Sequence, residues 1–145
     1  MKNVKHIVRK GIITKLKNNI TYNAQTVPVY GRVPDNATYP YIMVKSQDMG
    51  EIDQNRDSFT STISTLIEIV TRYRSSAGGQ KVADEVTDLV MQEIRTRSAD
   101  YMDLSADGFT VYTQTLSSLP SVEERYRDQT YYRSQLNLDV RVQEN

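Results

Sequence analysis

Residues 130–142 alternate in character: Tyr132, Leu136, Leu138, Val140 and Val142 are interleaved with Arg133, Gln135, Asn137, Asp139 and Arg141. A period of two belongs to a strand with one face buried and one wet, and so to an antiparallel sheet solvated on one side. Such a strand needs partners. The stretch 60–74, TSTISTLIEIVTRYR, is the richest in Thr, Ile and Val and is long enough to run past the body of a small sheet. Residues 41–47 and 109–116 read as further strands. The short β-like stretch 27–31 contains Pro28, which cannot donate to a ladder and so belongs at an edge or a strand start.

Two segments carry helical spacing instead. In 3–18, Val4, Ile7, Val8, Ile12 and Leu16 fall on one face with lysines on the other, and Asn18-Asn19 suits a left-handed helix end. In 80–97, Val82, Val86, Leu89, Val90 and Ile94 form the apolar face, while Asp84, Glu85, Asp88 and Glu93 point away. The element order is helix, short strand, strand, strand, helix, strand, strand. Its economical packing is an α+β two-layer sandwich, with both helices on one face of an antiparallel β-sheet, in a single domain spanning 1–145. Leu136, Leu138, Val86, Leu89 and Ile69 are the expected core.

The segments 48–58 and 117–129 read as long polar loops. Each places both signs of charge together: Glu51, Asp53, Arg56 and Asp57 in the first, Glu123, Glu124, Arg125, Arg127 and Asp128 in the second. Solvent exposure explains such charges. So does docking, with the charges setting orientation and Tyr126 supplying apolar area.

Composition narrows the chemistry. With no cysteine, thiol catalysis, disulfides and cysteine-ligated metal are out, and the single histidine, His6, sits among lysines. Asp84 and Asp88 share a helix face, and Asp100, Asp103 and Asp107 cluster near a turn, but at spacings that miss a calcium loop. Gly78-Gly79 lacks the surroundings of a phosphate loop. Glu68 is the lone acid of the most apolar strand, and is expected to face solvent or pair with a base on a neighbouring strand. No enzyme, cofactor or metal is expected.

Eighteen basic residues balance 18 acidic ones, yet the seven up to Pro34 (Lys2, Lys5, Arg9, Lys10, Lys15, Lys17, Arg32) meet no acid there. This arm reads as a solvated helix face, a nucleic-acid contact, or the positive end of a subunit that docks on a neighbour. The N-terminus has no unbroken apolar run, so neither leader nor anchor is expected, and assembly belongs in a cytoplasm. Ten tyrosines, two phenylalanines and no tryptophan suit half-wet interfaces as well as half-buried sheets.

Val27-Pro28-Val29-Tyr30-Gly31-Arg32-Val33-Pro34 followed by Tyr39-Pro40-Tyr41-Ile42-Met43-Val44 resembles the opening of the tail terminator (tail completion) proteins of long-tailed bacteriophages. The long strand around 64–71, the glycine turn and helix across 78–97, and the aromatic entry Tyr131-Tyr132-Arg133 of the last strand continue the likeness over most of the chain. The resemblance implies a ring, usually of six copies, capping the head-proximal end of the tail tube. Its partners would be other copies of itself, the major tail tube protein and a head completion or neck protein. DNA would pass through the lumen without sequence recognition, and no membrane is involved. Another neck, connector or baseplate component, or a basic-arm nucleic-acid-binding module, are the alternatives.

Overall fold

The computed structural model describes residues 1–53, 58–74, 78–97 and 100–145, apart from the side chain of Asp53. The elements run α1 (Lys5–Leu16), β1 (Thr21–Tyr22), β2 (Gln25–Thr26), β3 (Val29–Tyr30), β4 (Tyr41–Asp53), β5 (Thr60–Arg74), α2 (Lys81–Ile94), a 3-10 turn (Ser105–Asp107), β6 (Phe109–Tyr126) and β7 (Gln129–Glu144). The fold is α+β. β1 and β2 form a minimal hairpin, turned by Asn23 (φ 51°) and Ala24 (φ 62°), and the other five strands form one sheet ordered β3-β4-β5-β7-β6.

α1 forms because Val4, Val8, Ile12 and Leu16 recur every fourth residue, and all four are buried. It ends as its sequence suggests, with Asn18 at φ 65°. On α2 the buried stripe is Ala83, Val86, Val90 and Ile94. Both helices feed one cluster with Ile42, Val44, Ile63, Ile67, Ile69, Leu136, Leu138 and Val140. Of the expected core, Leu136, Leu138, Val86 and Ile69 are fully buried, but Leu89 is only half-buried at the cluster's margin. It lies toward the edge of the helical stripe, where solvent reaches one side.

The sheet departs from the sequence reading in three places. It is mixed rather than wholly antiparallel, because β3 pairs in parallel with β4 (Val29 beside Ile42). The chain across 31–40 crosses back to the end at which β3 began, so β4 enters in the same direction as β3. Pro28 sits just ahead of β3, and its carbonyl accepts from the Ile42 N–H at 2.9 Å.

Residues 48–53 are not loop but the second half of β4, paired with β5 from Gln47–Thr65 to Asp53–Thr60. A bulge separates the halves between Val44 and Gln47. There Arg9 donates from Nη1 to the Val44 carbonyl at 2.7 Å and from Nη2 to the Lys45 carbonyl. Part of the basic arm thus satisfies backbone acceptors that the irregular ladder leaves open.

Likewise 117–126 is not a linker but the outer half of β6, paired with β7 as far as Tyr126–Gln129. Pro120 is accommodated by a register shift between Leu119 and Val122 on the edge strand, where a missing N–H costs no ladder bond.

The entry to α2 turns on Gly78, whose φ is +91°. A Cβ there would stand 2.2 Å from ring carbons of Tyr73, with no room unless the ring moves. We expect Gly78→Ala to destabilise the protein by at least about 1–3 kcal/mol, combining left-handed strain with the clash. Urea unfolding at an unchanged slope measures it, and an unshifted midpoint would show that the turn is free to reform.

Candidate docking surfaces

Because side chains alternate along β5, Ile63, Ile67 and Ile69 enter the core, whereas Ser64, Leu66, Glu68, Val70 and Arg72 lie on the other face of the sheet. Glu68 is the notable member of that second face. It is 2% exposed, and its carboxylate accepts from Arg133 Nη1 at 2.9 Å, from Gln135 Nε2 at 2.9 Å and from Lys45 Nζ at 3.5 Å. All three donors come from the strands flanking β5, so the ladder sets the cluster. The lone acid of the apolar strand is therefore paired, as its sequence context required, but buried rather than in solvent.

Burial opposes the charge on Arg133, and the Glu68 carboxylate outweighs it, by its charge and its hydrogen bond, holding the guanidinium more strongly protonated than usual. The Arg133 Nε lies 3.4 Å from Glu124 Oε2, close enough for charge attraction but off the line of a hydrogen bond.

Aromatic rings adjoin this charge cluster. Tyr39 packs against Tyr41 at 5.1 Å and against Tyr131 at 6.1 Å, and Tyr30 meets Tyr41 at 5.7 Å, all tilted. The exposed Arg72 lies over the Tyr39 ring at 4.3 Å. Burial pushes the Tyr39 and Tyr41 phenols up, so both remain neutral donors at ordinary pH. Rigid aromatic rings capped by a guanidinium favour contact with another macromolecule. The sequence reading missed this group, since it takes the pairing of β3, β4, β5 and β7, with the bend ahead of β4 that carries Tyr39, to bring 30, 39, 41, 72 and 131 together. Its one clue was the acid at Glu68.

Those charged residues singled out from the sequence that are among the described residues fall at opposite ends of the sheet. Asp53 ends β4 beside Thr60, which pairs with Gln143, while Arg74 at the far end of β5 pairs with Gln129 next to the β6–β7 turn. Fifteen residues of strand separate the ends by roughly 45 Å. Glu51 is exposed near the first end; Arg56 and Asp57 lie outside the described residues. At the second end Glu123, Glu124, Arg125 and Tyr126 are exposed on β6, and Arg127 forms the turn at φ 57° with its guanidinium 5.3 Å from the Tyr126 ring. Glu124 is drawn toward Arg133, which leaves Glu123, Arg125, Tyr126 and Arg127 to face outward.

The carboxylates of the Asp100 region act locally. Asp103 accepts from the Ser105 N–H at 2.9 Å at the head of the 3-10 turn, and this hydrogen bonding holds its pKa below the usual carboxylate range. Among the described residues no helix is long and apolar enough to cross a membrane.

No protein-family model and no curated protein sequence matches the chain. A solved structure does: a chain of the virion of a native gene transfer agent (GTA) particle superposes with a TM-score of 0.53, covering 80% of this chain and 79% of that one. The two share a fold. Identity is 14%, so the likeness is one of backbone architecture across most of both chains.

Proposed function

We infer that this chain is a non-enzymatic structural protein of a phage-like virion, forming a ring that caps the head-proximal end of the tail tube and joins it to a neck protein. The observation that carries the proposal is the fold shared over four fifths of the chain with a component of a gene transfer agent virion. The resemblance of Val27–Val44 to tail terminators supports the finer assignment, as does a subunit whose charged ends lie roughly 45 Å apart, at opposite ends of the strands.

In this proposal the two helices lie side by side on the core face of the sheet as a two-layer sandwich. The other face, with the Glu68–Arg133 cluster and its tyrosines, is left for neighbours. Binding is the whole mechanism. One end of the strands meets the tube and the other meets the neck, and copies close on one another by a heterologous contact. DNA passes the lumen without being read, and no cofactor takes part.

Position decides the matter. In an assembled particle the chain is expected as a single annular layer at the head-proximal end of the tube, visible by labelling or by direct imaging. Copies distributed along the tube would make it a tube protein, and density at the distal tip would make it a baseplate component.

A further inference from the structure

Among the described residues both edges of the five-stranded sheet are open. On one side β6 is the terminal strand over its whole length. On the other, β3 covers β4 only at Ile42 and Met43, which leaves Gln47–Asp53 as a second free edge. Among the described residues the one backbone hydrogen bond from outside the ladder to either stretch is at the very start of β6, where the Phe109 N–H donates to the Leu104 carbonyl at 3.2 Å; Thr110–Tyr126 and Gln47–Asp53 receive none. Exposed edges of this kind are pairing templates that proteins blunt with charge, proline or cover. β6 is not blunted where it matters. From Phe109 to Val122 it carries no charged residue, and its single proline lies toward the distal end at Pro120. Tyr112 along the same stretch is 47% exposed.

The two free edges also stand at the same height. Asp48 is level with Ser64, Ser64 with Asp139, and Asp139 with Thr115; Gly50 is level in the same way with Thr62, Arg141 and Thr113. β4 and β6 are antiparallel to one another, because three antiparallel steps separate them. A second copy set beside the first without axial shift therefore brings its β4 edge against β6 in antiparallel sense.

We propose that copies of this chain join by edge pairing, with Gln47–Asp53 of one copy adding to Thr110–Leu116 of the next and continuing the sheet from subunit to subunit. Chemistry selects this pairing over its rivals. Two β4 edges would oppose the acids Asp48, Glu51 and Asp53, whereas against β6 each meets an uncharged residue. Two β6 edges would pair without repulsion but leave both β4 edges bare. The β4-to-β6 contact is heterologous, uses both edges of every copy and involves no rise, which is the geometry of a closed ring rather than a filament. It rests on the ring proposed above and names the surface that would close it.

The chain has no cysteine, so engineered thiols report without background. Asp48 and Thr115 are exposed, and on the predicted register they are opposite one another across the contact. The full-length Asp48→Cys/Thr115→Cys variant, concentrated and mildly oxidised, is expected to form disulfide-linked multimers, while each single variant stays unlinked. Gly50→Cys/Thr113→Cys is the second pair, since open space stands where a Gly50 side chain would go. Dimers from Thr115→Cys alone would replace the proposal with a β6–β6 contact. Absence of linkage in both double variants overturns it, even if native mass shows a ring, in which case the ring is built otherwise. Linked chains that grow without closing uphold edge pairing and refute the ring.

Discussion

Glu68→Ala is expected to lower the stability of the folded chain by about 3 kcal/mol, the lower end of what removing one partner of a buried ion pair costs. The lower end applies because the groups left behind are not sealed in. The Arg133 side chain is 25% exposed and that of Lys45 is 34% exposed, so each can turn part of its charge to water once the carboxylate has gone. At this chain length the loss corresponds to a fall in melting temperature of roughly 10 °C. Removing Arg133 instead leaves the carboxylate, 2% exposed, to Lys45 and Gln135 alone. The double variant Glu68→Ala/Arg133→Ala should therefore lose less than the sum of the two single losses, by about 1 kcal/mol or more. Strict additivity in chemical denaturation would mean that the two side chains are near each other without being coupled.

That cluster also shows how far the sequence could be read. The core was legible because burial leaves a periodic trace. The fourfold spacing of Val4, Val8, Ile12 and Leu16 and the alternation through Leu136, Leu138 and Val140 both end in residues that solvent does not reach. The outer half of β6 leaves no such trace. From Ser117 to Tyr126 every side chain is exposed, so the ladder that makes it a strand is a backbone matter, and its side chains read as linker. The second half of β4 reads as loop for the same reason, with Asp48, Gly50 and Glu51 all exposed. Periodicity detects the buried face of a strand, not the strand itself. The tyrosine and arginine group was hidden differently. Its members are spread from 30 to 131 in the chain, and pairing across β3, β4, β5 and β7, with the bend ahead of β4, is what collects them. Glu68 alone signalled it, because a carboxylate amid isoleucines demands a partner.

Reversing charge at the β6–β7 tip, with Arg125→Glu and Arg127→Glu together, is expected to leave the melting temperature within about 2 °C of the parent and to abolish the joining of heads to tails. Stability is spared because both side chains are exposed and neither is part of an ion pair among the described residues. Arg127 occupies a left-handed turn position, and glutamate tolerates that backbone no worse than arginine. The functional loss follows from the tip's place in the fold. It is the outermost point at one end of the strands, and there Tyr126, 58% exposed, is flanked by two guanidiniums that set its approach to a partner surface. Tyrosine with arginine is the combination that dominates binding at protein interfaces, and turning the flanking charges opposes approach without disturbing the hairpin. Under the proposed function, full heads and completed tails would accumulate separately. The measurement is the count of joined particles by microscopy beside the infectious or transducing titre. Normal particles carrying the doubly reversed chain would move the neck contact to the other end of the sheet, near Glu51, and leave this tip a solvated turn.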